Sequence, residues 1–193
     1  ESDGFAVFET QHFIPMAFTF ESYIRDRAYD QIRHHSNMSS AVADRLLVKD
    51  LILTDEQADK YGHLLQEDTD MPTMAMSVDD FNKYADSRAA SAATSFTTDP
   101  GGYLATVTLP RENLVFFSVP YDRGFKAYVD GEPAAIERVA CGFMAVPVSA
   151  GTHEIRLAWS QWGIEVGIAL SALAAIVLVI LHVGSSRARK ERL

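Results

Sequence analysis

The chain has 193 residues, 48% hydrophobic and 22% charged, with a formal net charge of −9. This composition fits one large or two small globular units and excludes a disordered tail. Twenty-six acidic against 17 basic residues argue against a nucleic-acid partner, which needs a clustered basic patch. A single cysteine, Cys141, rules out an intramolecular disulfide and a Cys-rich zinc site. It is expected to be a small buried hydrophobe.

Residues 1–98 read as a mixed α/β part. Phe5 to Glu9 alternates as a short strand, and Phe13 to Tyr23 is aromatic-rich and extended around Pro15. Ala41 to Leu53 places Val42, Leu46, Leu47 and Leu51 at helical spacing, with Ser39 or Ser40 as N-cap. Thr54 and Gln57 form a capping-box pattern that predicts a helix over Asp55 to Gln66. Ser77 to Asp80 repeats this start, and Val78, Phe81, Ala85, Arg88 and Ala92 follow on one helical face.

Residues 99–162 read as antiparallel β structure, because turn residues separate short runs of period two. Asp99-Pro100-Gly101-Gly102 opens it, and Tyr103, Ala105, Val107 and Leu109 share a strand face. Leu114 to Tyr121 is apolar on both faces, which predicts a central strand. Phe125 to Val129 follows, and Asp130-Gly131 marks a tight hairpin needing positive φ at both positions. Ile136 to Val139 and Phe143 to Val148 continue the meander. In the last strand His153, Ile155, Leu157 and Trp159 alternate with Glu154 and Arg156. Six such strands predict a β-sandwich, jelly-roll-like in character.

From Gly163 to Val183 the chain is apolar, with Glu165 and His182 at its ends. Its length at about 1.5 Å per residue matches a hydrocarbon core of roughly 30 Å, and Ser171 is the lone polar group between Val166 and Leu181. A transmembrane helix over 163–183 is expected, flanked by Trp159 and Trp162 at the membrane interface and by a basic tail, 184–193, with Arg187, Arg189, Lys190 and Arg192. The positive-inside rule then places residues 1–162 outside a bacterial cell membrane and the tail in the cytoplasm. That tail has four basic residues and one acidic, and the chain totals −9, so the part before Gly163 carries −11 once Glu165 is set aside. Because the chain starts at Glu1 and shows no export signal, an upstream membrane span of the same protein is expected as a partner alongside the lipid bilayer.

Two sets of residues carry a resemblance. Leu114 to Phe125, read as L-V-F-F-S-V-P-Y-D-R-G-F, with Tyr128-Val129-Asp130-Gly131 resembles the "S-x-P-Y-D-x-G-W … V-D-G" signature of the YfhO family of polytopic bacterial membrane proteins. Gly142-Phe143-Met144 with Ala150-Gly151-Thr152-His153-Glu154-Ile155 is similar to its "G-F-M … A-G-x-H-x-I" hairpin. Glu9 to Phe18 resembles its "E-N-x-x-x-L-P" stretch, with Thr10 for Asn and Ile14 for Leu, and Asp44 to Leu53 stands at its Leu-rich helix. Phe125 replaces the usual Trp, which removes an indole N–H. The resemblance implies the C-terminal exterior domain and last span of a protein similar to membrane glycosyltransferases that use lipid-linked sugars to decorate envelope polymers. In that architecture the catalytic carboxylates lie on loops near the whole protein's N-terminus, outside this chain.

Within the chain, Asp122 is the most tempting carboxylate, but an Asp before Gly in a turn more often bonds backbone N–H groups. The acidic run Glu67-Asp68-Thr69-Asp70 lacks EF-hand spacing and reads as a solvated loop. His34 and His35 diverge by about 100° on a helix, and His12, His63 and His153 have no metal-site spacing. No nucleophile-elbow, phosphate-loop or dinucleotide motif occurs. Tyr103, Phe116, Phe117, Tyr121, Phe125, Tyr128 and Phe143 crowd the β part, as sandwich cores also do. Tyr121, Asp122 and Tyr128 are the candidate carbohydrate contacts. No catalytic residue, cofactor or metal is assigned. Two functions survive: a non-catalytic accessory domain of a glycosyltransferase-like membrane protein that contacts a glycopolymer or lipid-linked sugar, or an envelope-binding or scaffolding module on a membrane stalk.

Overall fold

The computed structural model describes residues 10–34, 46–69, 76–161 and 163–190, with backbone only for 165 and 183–190. Two compact units emerge, Glu1–Trp159 and Ser160–Leu193. The expected strand Phe5 to Glu9, the caps Ser39 and Ser40, Trp162 and Arg192 lie outside the described residues.

Three layers build the first unit. Its middle layer is a four-stranded sheet in the order β1(Ala17–Thr19), β7(Asn113–Pro120), β11(Phe143–Val148), β10(Glu137–Val139). On one side lies a five-stranded sheet in the order β5(Ser95–Asp99), β6(Gly102–Leu109), β12(Gly151–Trp159), β8(Phe125–Val129), β9(Glu132–Ala134). All pairings in these two sheets are antiparallel. The chain crosses between them from β6 to β7 to β8 and from β11 to β12, a connection pattern like that of a jelly roll.

Alternation along β7 fixes this layering. Leu114 and Phe116 enter one core with Phe18, Phe20 and Ala145, while Val115, Phe117 and Val119 enter a second with Ala105, Val107, Ala127, Met144, Ile155 and Leu157. A strand covered on both faces must be apolar at every position, and residues 114–117 are all buried. Phe117, 0% exposed, contributes roughly 1.5–3 kcal/mol by transfer from water alone.

The third layer packs on the first core. It comprises a parallel sheet in the order β3(Leu51–Leu53), β2(Ser22–Arg25), β4(Gln66–Glu67), with helices α1(Asp26–His34), α2(Asp55–Tyr61) and α3(Val78–Ala90). The helix expected over Ala41 to Leu53 is corrected here. Residues 46–49 are helical, but Leu51, Ile52 and Leu53 form a buried strand beside β2. Three consecutive apolar residues suit a strand covered on both faces better than one stripe of a helix.

The two capping patterns hold. Thr54 Oγ1 accepts from Gln57 N and Gln57 Oε1 accepts from Thr54 N, each at 3.2 Å, which completes the capping box of α2. That helix ends at Tyr61, earlier than Gln66, because a 3-10 turn over Gly62–Leu64 brings the chain back for β4 to pair with β2. Ser77 Oγ accepts from Asp80 N at 3.0 Å and starts α3. On the expected face of α3, Ala85 and Arg88 are buried, whereas Val78 is exposed and Ala92 lies beyond the helix end.

The described part of the acidic run, 67–69, is not a solvated loop. Arg25 Nε donates to Glu67 at 2.7 Å and the Tyr23 hydroxyl donates to it at 3.0 Å, while Asp68 pairs with Lys49. Parallel pairing of β2 with β4 carries the acidic residues onto a basic strand end.

The second unit is α4(Ile164–Lys190), 27 residues. Its described side chains from Val166 to His182 are exposed, and they cover about 25 Å of rise. Among the described residues no helix is long and apolar enough to cross a membrane.

Candidate functional site

The inward-facing row of the five-stranded sheet changes character along its length. Ala105, Ala127 and Leu157 point into the second core and are 1%, 3% and 0% exposed. Two residues further along the same strands, and so on the same face, stand Tyr103, Phe125 and Trp159. None of these is buried, and Trp159 is 43% exposed. Phe125 and Trp159 are register partners, as are Tyr103 and Leu157. Sheet pairing therefore sets Phe125 beside Trp159, with Tyr103 on the far side of β12 opposite Leu157.

The rings of Tyr103 and Phe125 are 6.0 Å apart at 29°, and Phe96 lies 5.7 Å from Tyr103 at 31°. Thr98, Asp99, Pro100, Gly102, Tyr103, Phe125 and Trp159 line an open cavity of about 470 Å³. On the outer face of the same sheet end, Asp99 is held in an ion pair. Arg156 donates from Nη1 and Nη2 to the two oxygens of Asp99, at 2.7 and 2.9 Å, and the Gly101 N–H donates to the same carboxylate at 2.7 Å. Arg156 beside Asp99, helped by Gly101, holds the carboxyl below its ordinary pKa. Gly102, at φ +133°, is required here: a Cβ at that position would stand 1.9 Å from the Leu157 carbonyl oxygen.

The candidate contacts read from sequence lie elsewhere. Tyr121 follows the end of β7 and is 40% exposed. Asp122 Oδ1 accepts from Gly124 N at 2.7 Å, a turn that delivers the chain into β8 at Phe125. Tyr128 is half-buried, opposite Arg156 and Pro133 on the outer face of the five-stranded sheet. None of the three lines the aromatic cavity.

A second cluster links two motifs that sequence alone leaves separate. Asp130 and Gly131 form the two-residue hairpin turn with φ of 53° and 86°. Asp130 Oδ2 lies 2.6 Å from His153 Nδ1, and Ser149 Oγ lies 3.1 Å from His153 Nε2. The order is that of a Ser–His–Asp relay, yet Nε2 also faces the Ala150 carbonyl at 3.3 Å, which only accepts. A proton on both ring nitrogens satisfies all three oxygens. Asp130 raises the His153 pKa, and His153 lowers that of Asp130. The cluster is an ion-paired clip holding the β8–β9 turn to β12, where Asp130 Oδ1 also accepts from Glu154 N at 2.8 Å.

Cys141 corrects an expectation, being exposed rather than buried. It lies with Ala140 and Gly142 in the β10–β11 turn, where all three residues have positive φ, so its side chain turns away from the core. Buried charge is found instead at Asp50 and Arg88, 1% and 2% exposed. Ser22 Oγ donates to Asp50 at 2.5 Å, and burial raises the Asp50 pKa to about 6. The Arg88 guanidinium stands 4.9 Å from the Phe20 ring centroid. Among the described residues no group of three or more His, Cys, Asp or Glu side chains is placed to hold a metal ion.

Comparison with curated proteins and with solved structures gave no match. A family model described as bacterial membrane protein YfhO matches residues 69–171. That stretch includes α3, every strand from β5 to β12, the whole aromatic cavity and the start of α4. With more than half of its length so matched, the chain belongs to the YfhO family of bacterial membrane proteins.

Proposed function

We propose that this chain is the C-terminal exterior domain and last membrane anchor of a glycosyltransferase-like protein, and that it serves transfer without catalysing it. The observation that carries the reading is the direct succession of a folded sandwich, an apolar helix and a basic tail in a member of a membrane-protein family. The apolar stretch 163–183 gives about 30 Å of helical rise, against a core of roughly 30 Å. Arg187, Arg189 and Lys190 fall in the last turn of α4 and Arg192 follows, which favours a cytoplasmic C-terminus. Trp159 and Trp162 then mark the outer interface.

The non-catalytic role rests on charge and on how the local carboxylates are engaged. A lipid-linked donor carries a phosphate leaving group that needs cationic neutralisation, and the part before Gly163 carries −11, counted without Glu165. Asp122 is engaged with Gly124 N, Asp130 with His153, and Asp99 with Arg156. A base for the acceptor hydroxyl would come from other loops of the same protein. A purely scaffolding module is the second reading, and the open aromatic cavity favours ligand contact over it.

Deleting residues 10–159 from the protein in cells is the test. Loss of envelope-polymer glycosylation, with the remaining protein still inserted in the membrane, is expected. Undiminished glycosylation would refute the accessory role.

A further inference from the structure

We infer that the end of the five-stranded sheet from which the chain leaves towards α4 is a contact for an anionic lipid surface, with Pro100, Tyr103, Phe125 and Trp159 at its interfacial layer and Arg123 and Lys126 at its phosphates. The inference rests on the anchor reading above and names lipid as what meets the open aromatic cavity.

Connectivity supplies the first argument. β12 ends at Trp159 and α4 starts at Ile164, five Cα steps that span at most about 18 Å. Register places the β5–β6 turn and the start of β8 at this same sheet end, since Gly102 lies opposite Ala158 and Phe125 opposite Trp159. A surface entered by α4 is therefore within reach of these residues. Gly151, at the other end of β12, is about 27 Å from Trp159 along the strand.

Side-chain chemistry supplies the second. The inward row that is buried at Ala105, Ala127 and Leu157 opens here into a cavity of about 470 Å³, with Pro100 exposed beside it. Tyr and Trp join an apolar ring to a polar O–H or N–H and collect where hydrocarbon gives way to headgroups. The inward positions at this end, Phe96, Thr98, Tyr103, Phe125 and Trp159, include no charged group to orient a small polar ligand. A lipid surface needs only apolar area flanked by cations.

Charge supplies the third, and it tells the two ends of the sheet apart. At the end nearer α4 in sequence, segments 99–103, 122–126 and 156–159 hold Asp99 and Asp122 against Arg123, Lys126 and Arg156. Asp99 and Arg156 engage each other, while Arg123 and Lys126 are exposed. At the opposite end, segments 110–112, 130–132 and 149–154 hold Glu112, Asp130, Glu132 and Glu154 against Arg111 and His153. Residues 1–162 total −11, so the basic excess at one end of this sheet runs against the general charge. Each basic residue near an anionic leaflet strengthens contact about fivefold.

The test uses the full chain in nanodiscs of phosphatidylcholine with phosphatidylglycerol, in a Cys141→Ser background with one spin label at a time. Pro100→Cys reports the contact, Glu132→Cys the opposite end and Val177→Cys the helix. Accessibility to oxygen, which concentrates in lipid, is compared with accessibility to a water-soluble nickel chelate. Oxygen should dominate at Val177 and Pro100, and the chelate at Glu132. Arg123→Glu combined with Lys126→Glu should shift the seated-to-free ratio at Pro100 at least about tenfold towards free, as should discs of phosphatidylcholine alone. The replaced residues are all exposed, so the far-UV spectrum and melting temperature should match those of the parent, which separates lost contact from lost folding.

Val177 in lipid with Pro100 in water overturns the contact and leaves the anchor standing. Val177 in water removes the anchor and the contact together. Pro100 shielded from both reagents reveals a protein or small-molecule occupant and overturns the inference. So does Glu132 in lipid, or a seated Pro100 label indifferent to the charge reversal and to lipid charge. The deletion experiment above reads glycosylation, and none of these results decides it.

Discussion

The five-stranded sheet presents one continuous inner face, yet its two stretches live in different environments. Over Ala105, Val107, Ala127, Ile155 and Leu157 it meets Phe117 and Met144 of the facing sheet and is dry. Over Tyr103, Phe125 and Trp159 the same alternation continues into an open cavity. Side-chain direction is thus set by strand pairing, while burial is set by what lies opposite. Tyr103 and Phe125 still pack against the core edge, whereas Trp159 is 43% exposed.

The largest expected effect is at the filled stretch. Phe117→Ala should destabilise the folded unit by about 3–5 kcal/mol in denaturant unfolding, because its ring is fully buried between Val115, Val119 and Met144 in the second core. A cost below about 1 kcal/mol would mean that β7 does not carry the sandwich.

A pH series sharpens the contrast between buried and open charge. Asp50 has its pKa raised from 3.8 to about 6 by burial, so its folded form holds a proton that the unfolded chain releases. Its contribution is fully present below 3.8 and is lost as pH rises through about 6. The strand-end and turn carboxylates Asp99 and Asp130 are depressed by Arg156 and His153, so theirs is present above the ordinary carboxylate range and lost on acidification. Asp50→Asn should therefore remove a decline in stability between pH 4 and 6, worth at most about 3 kcal/mol, and leave the acid limb intact. An unchanged decline would place its origin elsewhere.

Smaller effects follow. Thr54→Ala should cost about 1 kcal/mol by opening the capping box of α2. Trp159→Ala should cost less than about 1 kcal/mol, since much of the indole is already in water. A Trp159 cost approaching that of Phe117 would erase the distinction between the two stretches.

Much of the β part was legible because each strand carries a one-sided pattern and each turn its own chemistry. Asp130-Gly131 shows the positive φ values that its sequence demands, and Leu114 to Phe117 is buried on both faces as its unbroken apolarity requires. The α/β layer was read less well. Leu51-Ile52-Leu53 belongs equally to a helix stripe and a short parallel strand, and only the partner β2 decides. The 3-10 turn after Tyr61 is likewise set by the need to reach β2 again. Of the aromatic cavity, Tyr103 and Phe125 were visible as members of a crowded set and Trp159 as an interface residue. Period two reports facing, not what lies opposite, so sequence did not single out these three. The pairing of Asp130 with His153 depended on the register of β8 against β12, which no local pattern encodes.

In the proposed topology residues 1–162 lie outside the membrane and the basic tail, 184–193, lies inside. Cys141 gives a direct reading, because it is the chain's one cysteine and is exposed on the β10–β11 turn. In intact cells a membrane-impermeant maleimide should label Cys141 in the native chain, and should fail to label a Cys141→Ser, Ser186→Cys variant until the cells are opened. Labelling of the Ser186→Cys variant in intact cells, with Cys141 protected until lysis, would contradict the account.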